Sequence, residues 1–133
     1  MAKIAITSGF FDCPTSQDLN LFHEMRKKVL PDGHLEVVLF DDFVYYQLQR
    51  NFPVQSTEQR HRNLLYLVTN VHVCHTVDPS ITFKAIIDRL KSKGDEAVYF
   101  EYETKKDFLG RNVLKHLGVP VKFLKPYAET KDN

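Results

Sequence analysis

The chain switches between two hydrophobic periods along its whole length, and that alternation narrows the folds open to it. Residues 3–8 (KIAITS) are short, apolar and β-branched, as a strand buried on both faces must be. Comparable runs recur at 34–40 (HLEVVLF), 71–77 (VHVCHTV), 97–102 (AVYFEY) and 119–124 (VPVKFL). Helical patterns lie between them. Over 16–30, Leu19, Phe22 and Val29 make one stripe with Leu21 and Met25 beside it, and Pro31-Asp32-Gly33 supplies the turn chemistry that stops the helix. A second helix is predicted over 56–67 with Ser56 or Thr57 as its N-cap, a third from Pro79-Ser80 through Leu90, and a fourth over 106–117, closed by Gly118. Residues 43–56 are aromatic-rich, contain Pro53 and lack a clear period, so they read as a loop with a helical turn. Five strands alternating with helices predict one α/β domain over residues 1–133, a Rossmann-like doubly wound parallel sheet of about five strands. Such sheets bind ligands where the strands end, at the switch point, which singles out the loop at 9–16.

Charge and cysteine content exclude several function classes. The 18 basic and 17 acidic side chains leave a formal charge of +1, which gives no electrostatic reason to expect nucleic acid or an acidic membrane as partner. No apolar run approaches the roughly 20 residues that span a bilayer. Cys13 and Cys74 are too few for a disulfide scaffold and no secretory signal precedes them, so cytosol is the expected compartment. A small molecule or another protein is the expected partner.

The loop carries the most specific signal. Ser8-Gly9-Phe10-Phe11-Asp12, followed by a helix with Leu19-Asn20-Leu21, resembles the opening of the cytidylyltransferase family, and among its members the glycerol-3-phosphate cytidylyltransferases. Further along, Asp41-x-Phe43 after the second strand, Pro53-Val54 with Ser56-x-Glu58-x-Arg60, Val98-Tyr99, Phe108 and Val121 are similar in order and spacing, so the resemblance runs over about residues 4–127. It implies a nucleotidyltransferase-like fold, a nucleotide such as CTP, Mg²⁺ if the protein is active, a phosphorylated small alcohol as acceptor, and a homodimer. By resemblance, Gly9, Phe10, Thr15, Asp18 and Arg60 fall at nucleotide-binding positions and Arg50 at a substrate-binding one. Transfer from CTP builds negative charge on the phosphates, which positioned donors and a helix N-terminus stabilise.

The sequence departs from the family where that charge would be met. Counting from Asp12, the family's His-x-Gly-His positions hold Thr15, Ser16, Gln17 and Asp18. Thr15-x-x-Asp18 instead fits a capping box, and its acid favours the helix dipole while opposing an incoming phosphate. After the fourth strand, where the family tends to have a glycine and an acid, Phe100 stands in the glycine position beside Glu101, and the closing C-terminal segment is represented at best by Tyr127-Ala128-Glu129-Thr130. A catalytically inactive nucleotide-binding or protein-interaction homologue is therefore the alternative reading.

Each candidate also has a plainer role. Gly9 can simply turn the chain, Asp12 can cap loop amides, Arg60 can be solvated in a first helical turn, and Arg50 and Lys105-Lys106 can be surface charges. His72, Cys74 and His75 suggest a metal only superficially, because a strand puts His72 and Cys74 on one face and His75 on the other; no metal site is expected. Tyr45, Tyr46 and Phe52 either stack a base or cover a core edge or dimer contact.

Overall fold

The computed structural model describes residues 1–126. Its elements, in chain order, are β1 (Lys3–Gly9), α1 (Ser16–Val29), β2 (Leu35–Phe40), α2 (Asp42–Gln49), α3 (Thr57–Leu65), β3 (Asn70–Cys74), α4 (Ser80–Ser92), β4 (Glu96–Tyr102), a 3₁₀ turn (Glu103–Lys105), α5 (Arg111–His116) and β5 (Val121–Leu124). The strands form one sheet in the order β3-β2-β1-β4-β5, and every pairing is parallel. This is the expected Rossmann-like α/β fold. The order reverses direction at β1, so the switch point lies between the ends of β1 and β4.

Neighbouring residues on a strand point to opposite faces, and both faces are covered. Ala5, Val37, Leu39, Val98 and Phe100 face a core closed by α1 and α3; Ile4, Ile6, Val38, Phe40 and Tyr99 face another closed by α4 and α5. All six residues of β2 are buried, which is why the sequence shows no alternation there. Helix α1 buries Leu21, Phe22, Met25 and Val29, together roughly 6–12 kcal/mol of gross hydrophobic stabilisation before entropy is counted. Leu19, placed on the stripe by sequence, is instead exposed. The buried face follows the 21–25–29 row; beside it Asn20 Nδ2 donates to the Tyr102 hydroxyl, which donates to the Gln17 backbone carbonyl.

Besides shifts of one or two residues at other element ends, three segments depart from the sequence reading. Residues 42–49 form a regular helix rather than a loop: Asp41 caps it by accepting from the Val44 amide at 2.9 Å, and Val44 anchors it in the core. Its other apolar residues, Phe43 and Leu48, are exposed, which erased the period. β3 ends at Cys74, since Thr76 and Asp78 make local turn bonds. The last helix begins only at Arg111, because Gly110 adopts φ 88° and packs against Pro79 and Phe83, where a Cβ would collide. Ser56 is the N-cap of α3, accepting from Gln59. The segment at Tyr127–Thr130 lies outside the described residues.

Candidate functional site

The loop between β1 and α1 is held from several sides. Phe11 and Cys13 both adopt left-handed backbone (φ 48° and 54°), a conformation that costs non-glycine residues about 1–3 kcal/mol and persists where the surroundings enforce it. Here they do. Asp12 accepts from the Val54 and Gln55 amides, each at 2.8 Å; the Gln55 side chain receives the Cys13 amide; and the Phe11 ring packs on Phe22 at 5.4 Å. Asp12 is thus a structural cap, the plainer of its two readings.

Arg60 fixes the same loop from beneath. It is fully buried, and its five N–H donors reach the carbonyls of Gln55 (3.1 Å), Phe10 (2.8 Å) and Phe40 (2.8 Å), Asp42 Oδ1 (2.7 Å) and Thr57 Oγ1 (3.4 Å). A planar fork is suited to gathering acceptors from four segments. Burial raises the Asp42 carboxyl, but the hydrogen bonds from Arg60 and Thr57 outweigh that and hold it below its usual range. Arg60 is therefore not the solvated residue that its place in a first helical turn suggested. Its phosphate contact does not fit this arrangement either, because each donor already has a protein acceptor. Arg50 ends α2 in left-handed backbone (φ 62°) and is exposed, outside the lining of the cleft described next.

A cleft of about 890 Å³ opens at the switch point. Gly9, Phe10 and Phe11 line it from the β1 end, Asp18 and Leu21 from α1, Glu101 and Tyr102 from β4, and Lys105, Lys106 and Phe108 from the connection to α5. Lys105 thus ends the 3₁₀ turn and Lys106 follows it at the rim, not at a helix start. The N-terminus of α1 closes on itself: the Thr15 amide donates to Asp18 Oδ2 at 2.9 Å, and the Asp18 amide donates to Thr15 Oγ1 at 3.4 Å. Both halves of the capping box are present. Gly9 leaves room for only its own loop, since a Cβ there would meet the Phe11 ring at 3.1 Å.

On the floor, a buried polar run crosses the switch point. Ser8 Oγ and the Tyr99 hydroxyl share a 2.6 Å hydrogen bond, and Thr7 Oγ1 donates to the Phe100 carbonyl at 2.8 Å. Glu101 Oε1 accepts from the Tyr102 amide at 3.0 Å, and the Tyr99 hydroxyl is 3.5 Å from Oε2. Burial raises the Glu101 pKa and the Asp18 charge adds to it, against the opposing effects of the Tyr102 amide, Lys105 and Tyr99. Burial likewise pushes the Tyr99 phenol up, helped by Glu101. The resemblance put Glu101 beside the family's glycine position, where an acid is usual, but gave no sign of its burial; that signal lies in an acid near the end of a strand otherwise built to be buried.

The other sequence candidates do not converge on the cleft. His72 and His34 both meet Glu36, at 2.6 and 2.7 Å, together with Arg89. His75 lies beyond β3 and pairs with Asp41 at 2.7 Å. Tyr45 packs edge-on against Phe10 at 5.0 Å, while Tyr46 and Phe52 stack on each other at 4.9 Å on the surface. The described residues offer no group of three or more His, Cys, Asp or Glu suited to a metal ion. Of the acids lining the cleft, Asp12 and Asp18 are engaged with amides, Glu101 is buried, and Glu103 and Asp107 are exposed; no three of them are grouped as a metal ion requires, so this donor set does not fit Mg²⁺.

No protein-family model matches this sequence, nor does any curated protein sequence. Among solved structures, it is similar to the crystal structure of the lipopolysaccharide core biosynthesis protein from Thermoplasma volcanium GSS1, with a TM-score of 0.62 and 14% identity. The match covers 97% of this chain and 99% of that one. The likeness establishes the fold. It does not single out glycerol-3-phosphate cytidylyltransferase. No helix among the described residues is long and apolar enough to cross a membrane.

Proposed function

We propose that this chain is a cytidylyltransferase-like protein that takes a nucleotide, CTP or a related one, into the switch-point cleft and binds it rather than transferring it. The observation that carries this reading is the cleft's place: it opens where β1 and β4 end, against the glycine-bearing loop and the start of α1. Ligands of doubly wound sheets collect at that point. Efficient transfer is disfavoured by the same geometry. The helix end that would stabilise developing phosphate charge already holds the Asp18 carboxylate, and Arg60 faces inward. A second reading, transfer to a phosphorylated small alcohol, draws support from Lys105 and Lys106 on the rim, where they could take over charge neutralisation.

Thermal stability is the direct test, with CTP, CMP and ATP titrated in the presence and absence of Mg²⁺. A ligand at 100 times its dissociation constant adds about 2.7 kcal/mol. Stabilisation by CMP and CTP without pyrophosphate release is the expected result. Pyrophosphate release that depends on CTP and Mg²⁺ selects the second reading, and no stabilisation by any nucleotide refutes both. The homodimer implied by the resemblance is also proposed, through the exposed apolar residues Phe43, Phe52 and Val54.

A further inference from the structure

Among the described residues three histidines meet a carboxylate, and they do not present the same nitrogen. His34 and His72 turn Nε2 inward to the fully buried Glu36, so their outer nitrogen is already engaged inside the fold. His75 does the reverse. Its Nδ1 lies 2.7 Å from Asp41 Oδ2, and its side chain is 74% exposed. Asp41 is itself fixed: it is buried, its Oδ1 accepts the Val44 amide at 2.9 Å as the cap of α2, and its own amide donates to the Cys74 carbonyl at 3.0 Å. A carboxylate oxygen accepts and does not donate, so the proton of the neutral ring sits on Nδ1 and the lone pair on Nε2. A histidine held this way by an oriented acid has a nitrogen ready to attack or to take a proton. Neither a metal nor the ligand of the cleft accounts for it. The described residues hold no group of three or more His, Cys, Asp or Glu suited to a metal ion, and His75 does not line the cleft.

We propose that His75 is a covalent modification site that takes a phosphoryl group on Nε2 from an acyl phosphate. The Nε2 lone pair forms the N–P bond, the P–O bond to the acyl oxygen breaks, and that oxygen leaves with the electron pair as a carboxylate. No proton is released, because Nε2 carried none. The ring becomes cationic, and Asp41 Oδ2 stabilises it through the Nδ1–H it already accepts, as the buried acid of a catalytic triad stabilises its imidazolium. A carboxylate behind an imidazole also raises the basicity of the opposite nitrogen. The chemistry of the leaving group selects the donor. A phosphate monoester must expel an alkoxide, which needs a proton or a metal ion at the site; the carboxylate of an acyl phosphate leaves without either. This role does not depend on the nucleotide reading above.

The probe is acetyl phosphate, added to the full chain at neutral pH, with phosphorus NMR and peptide mass analysis reading which nitrogen of which residue is modified. His23 and His116 are also exposed and serve as controls within the same molecule. His75 should be phosphorylated on Nε2 about tenfold faster than either, the lower end of what an oriented carboxylate contributes behind an imidazole. D41S keeps a side-chain cap for α2 and removes the oxygen that meets Nδ1; it should slow the reaction at His75 about tenfold, with unfolding curves confirming that it is folded. H75Q should lose the fast reaction while His23 and His116 react as before. Nitrogen NMR of the untreated wild type should place the ring proton of His75 on Nδ1. Modification of His75 no faster than of His23 and His116, a ring proton on Nε2, or a folded D41S that reacts at the wild-type rate each overturns the inference. If D41S does not fold, the comparison of the three histidines in wild type and the tautomer still decide it.

Discussion

Replacing Arg60 by methionine removes a single side chain that joins four segments: the exit of β1 at Phe10, the exit of β2 at Phe40, the start of α2 at Asp42 and the approach to α3 at Gln55. Methionine keeps much of the volume and none of the donors. Three backbone carbonyls then lose their partners, and each buried acceptor left unmatched costs about 1–3 kcal/mol. Asp42 is one-third exposed and can turn to water, so its loss adds little. The sum is about 3–9 kcal/mol, and because the freed carbonyls can relax toward other donors its lower part applies, about 3–5 kcal/mol, the range found when one member of a buried pair is removed. For a chain of 133 residues that amounts to a fall in Tm of about 10–20 °C. R60K keeps the charge but not the fork, and should lose about 2–3 kcal/mol. Urea unfolding followed by circular dichroism measures both. If R60M melts within about 3 °C of wild type, the clamp is energetically idle and the reasoning fails. The same variant examines the phosphate role: an R60M protein of near-native stability with much weaker CTP binding would restore Arg60 to the ligand.

Other predictions follow from the charged groups and the surface. Burial pushes the Glu36 carboxyl up, but hydrogen bonds from His72 and His34 and the charge of Arg89 outweigh it and set its pKa at about 2. A depressed carboxylate stabilises the fold above its unfolded value of 4.5 and loses that contribution as pH falls through about 2. The contribution is up to about 3 kcal/mol, and acid unfolding of E36Q should show a flatter profile across that window. T15A should lose about 1 kcal/mol through the missing cap, read as a shift of the urea midpoint with unchanged slope. D18N should weaken the cap by a similar amount yet bind CTP several-fold more tightly; unchanged affinity would show that the carboxylate is not what opposes the triphosphate. Sedimentation of F52D/V54D should report a monomer where wild type is a dimer, and identical sedimentation removes that face from consideration.

The period of the apolar residues was enough to reveal five strands and four of the five α-helices among the described residues, because burial on both faces forces unbroken runs such as 35–40 and burial on one face forces helical stripes. Parallel order and a site at the end of β1 followed from connection rules alone. The Thr15–Asp18 box was equally legible, since both partners lie within one helical turn. What sequence did not reveal depends on contacts between distant segments. Helix α2 carries few buried residues and is set by one cap and one core valine, too little to leave a period. Arg60 looks like any surface arginine until Phe10 and Phe40, 50 and 20 residues away, bring their carbonyls to it. The contrast between Glu36 and Glu101 is of the same kind: both are acids in apolar strands, and only the folded chain places Arg89 and two histidines beside the first and an open cleft beside the second. Local pattern dictates which segments become strand or helix because those choices rest on near neighbours. The fate of a buried charge rests on what the tertiary fold brings to it across the sheet, and a linear pattern carries no record of that.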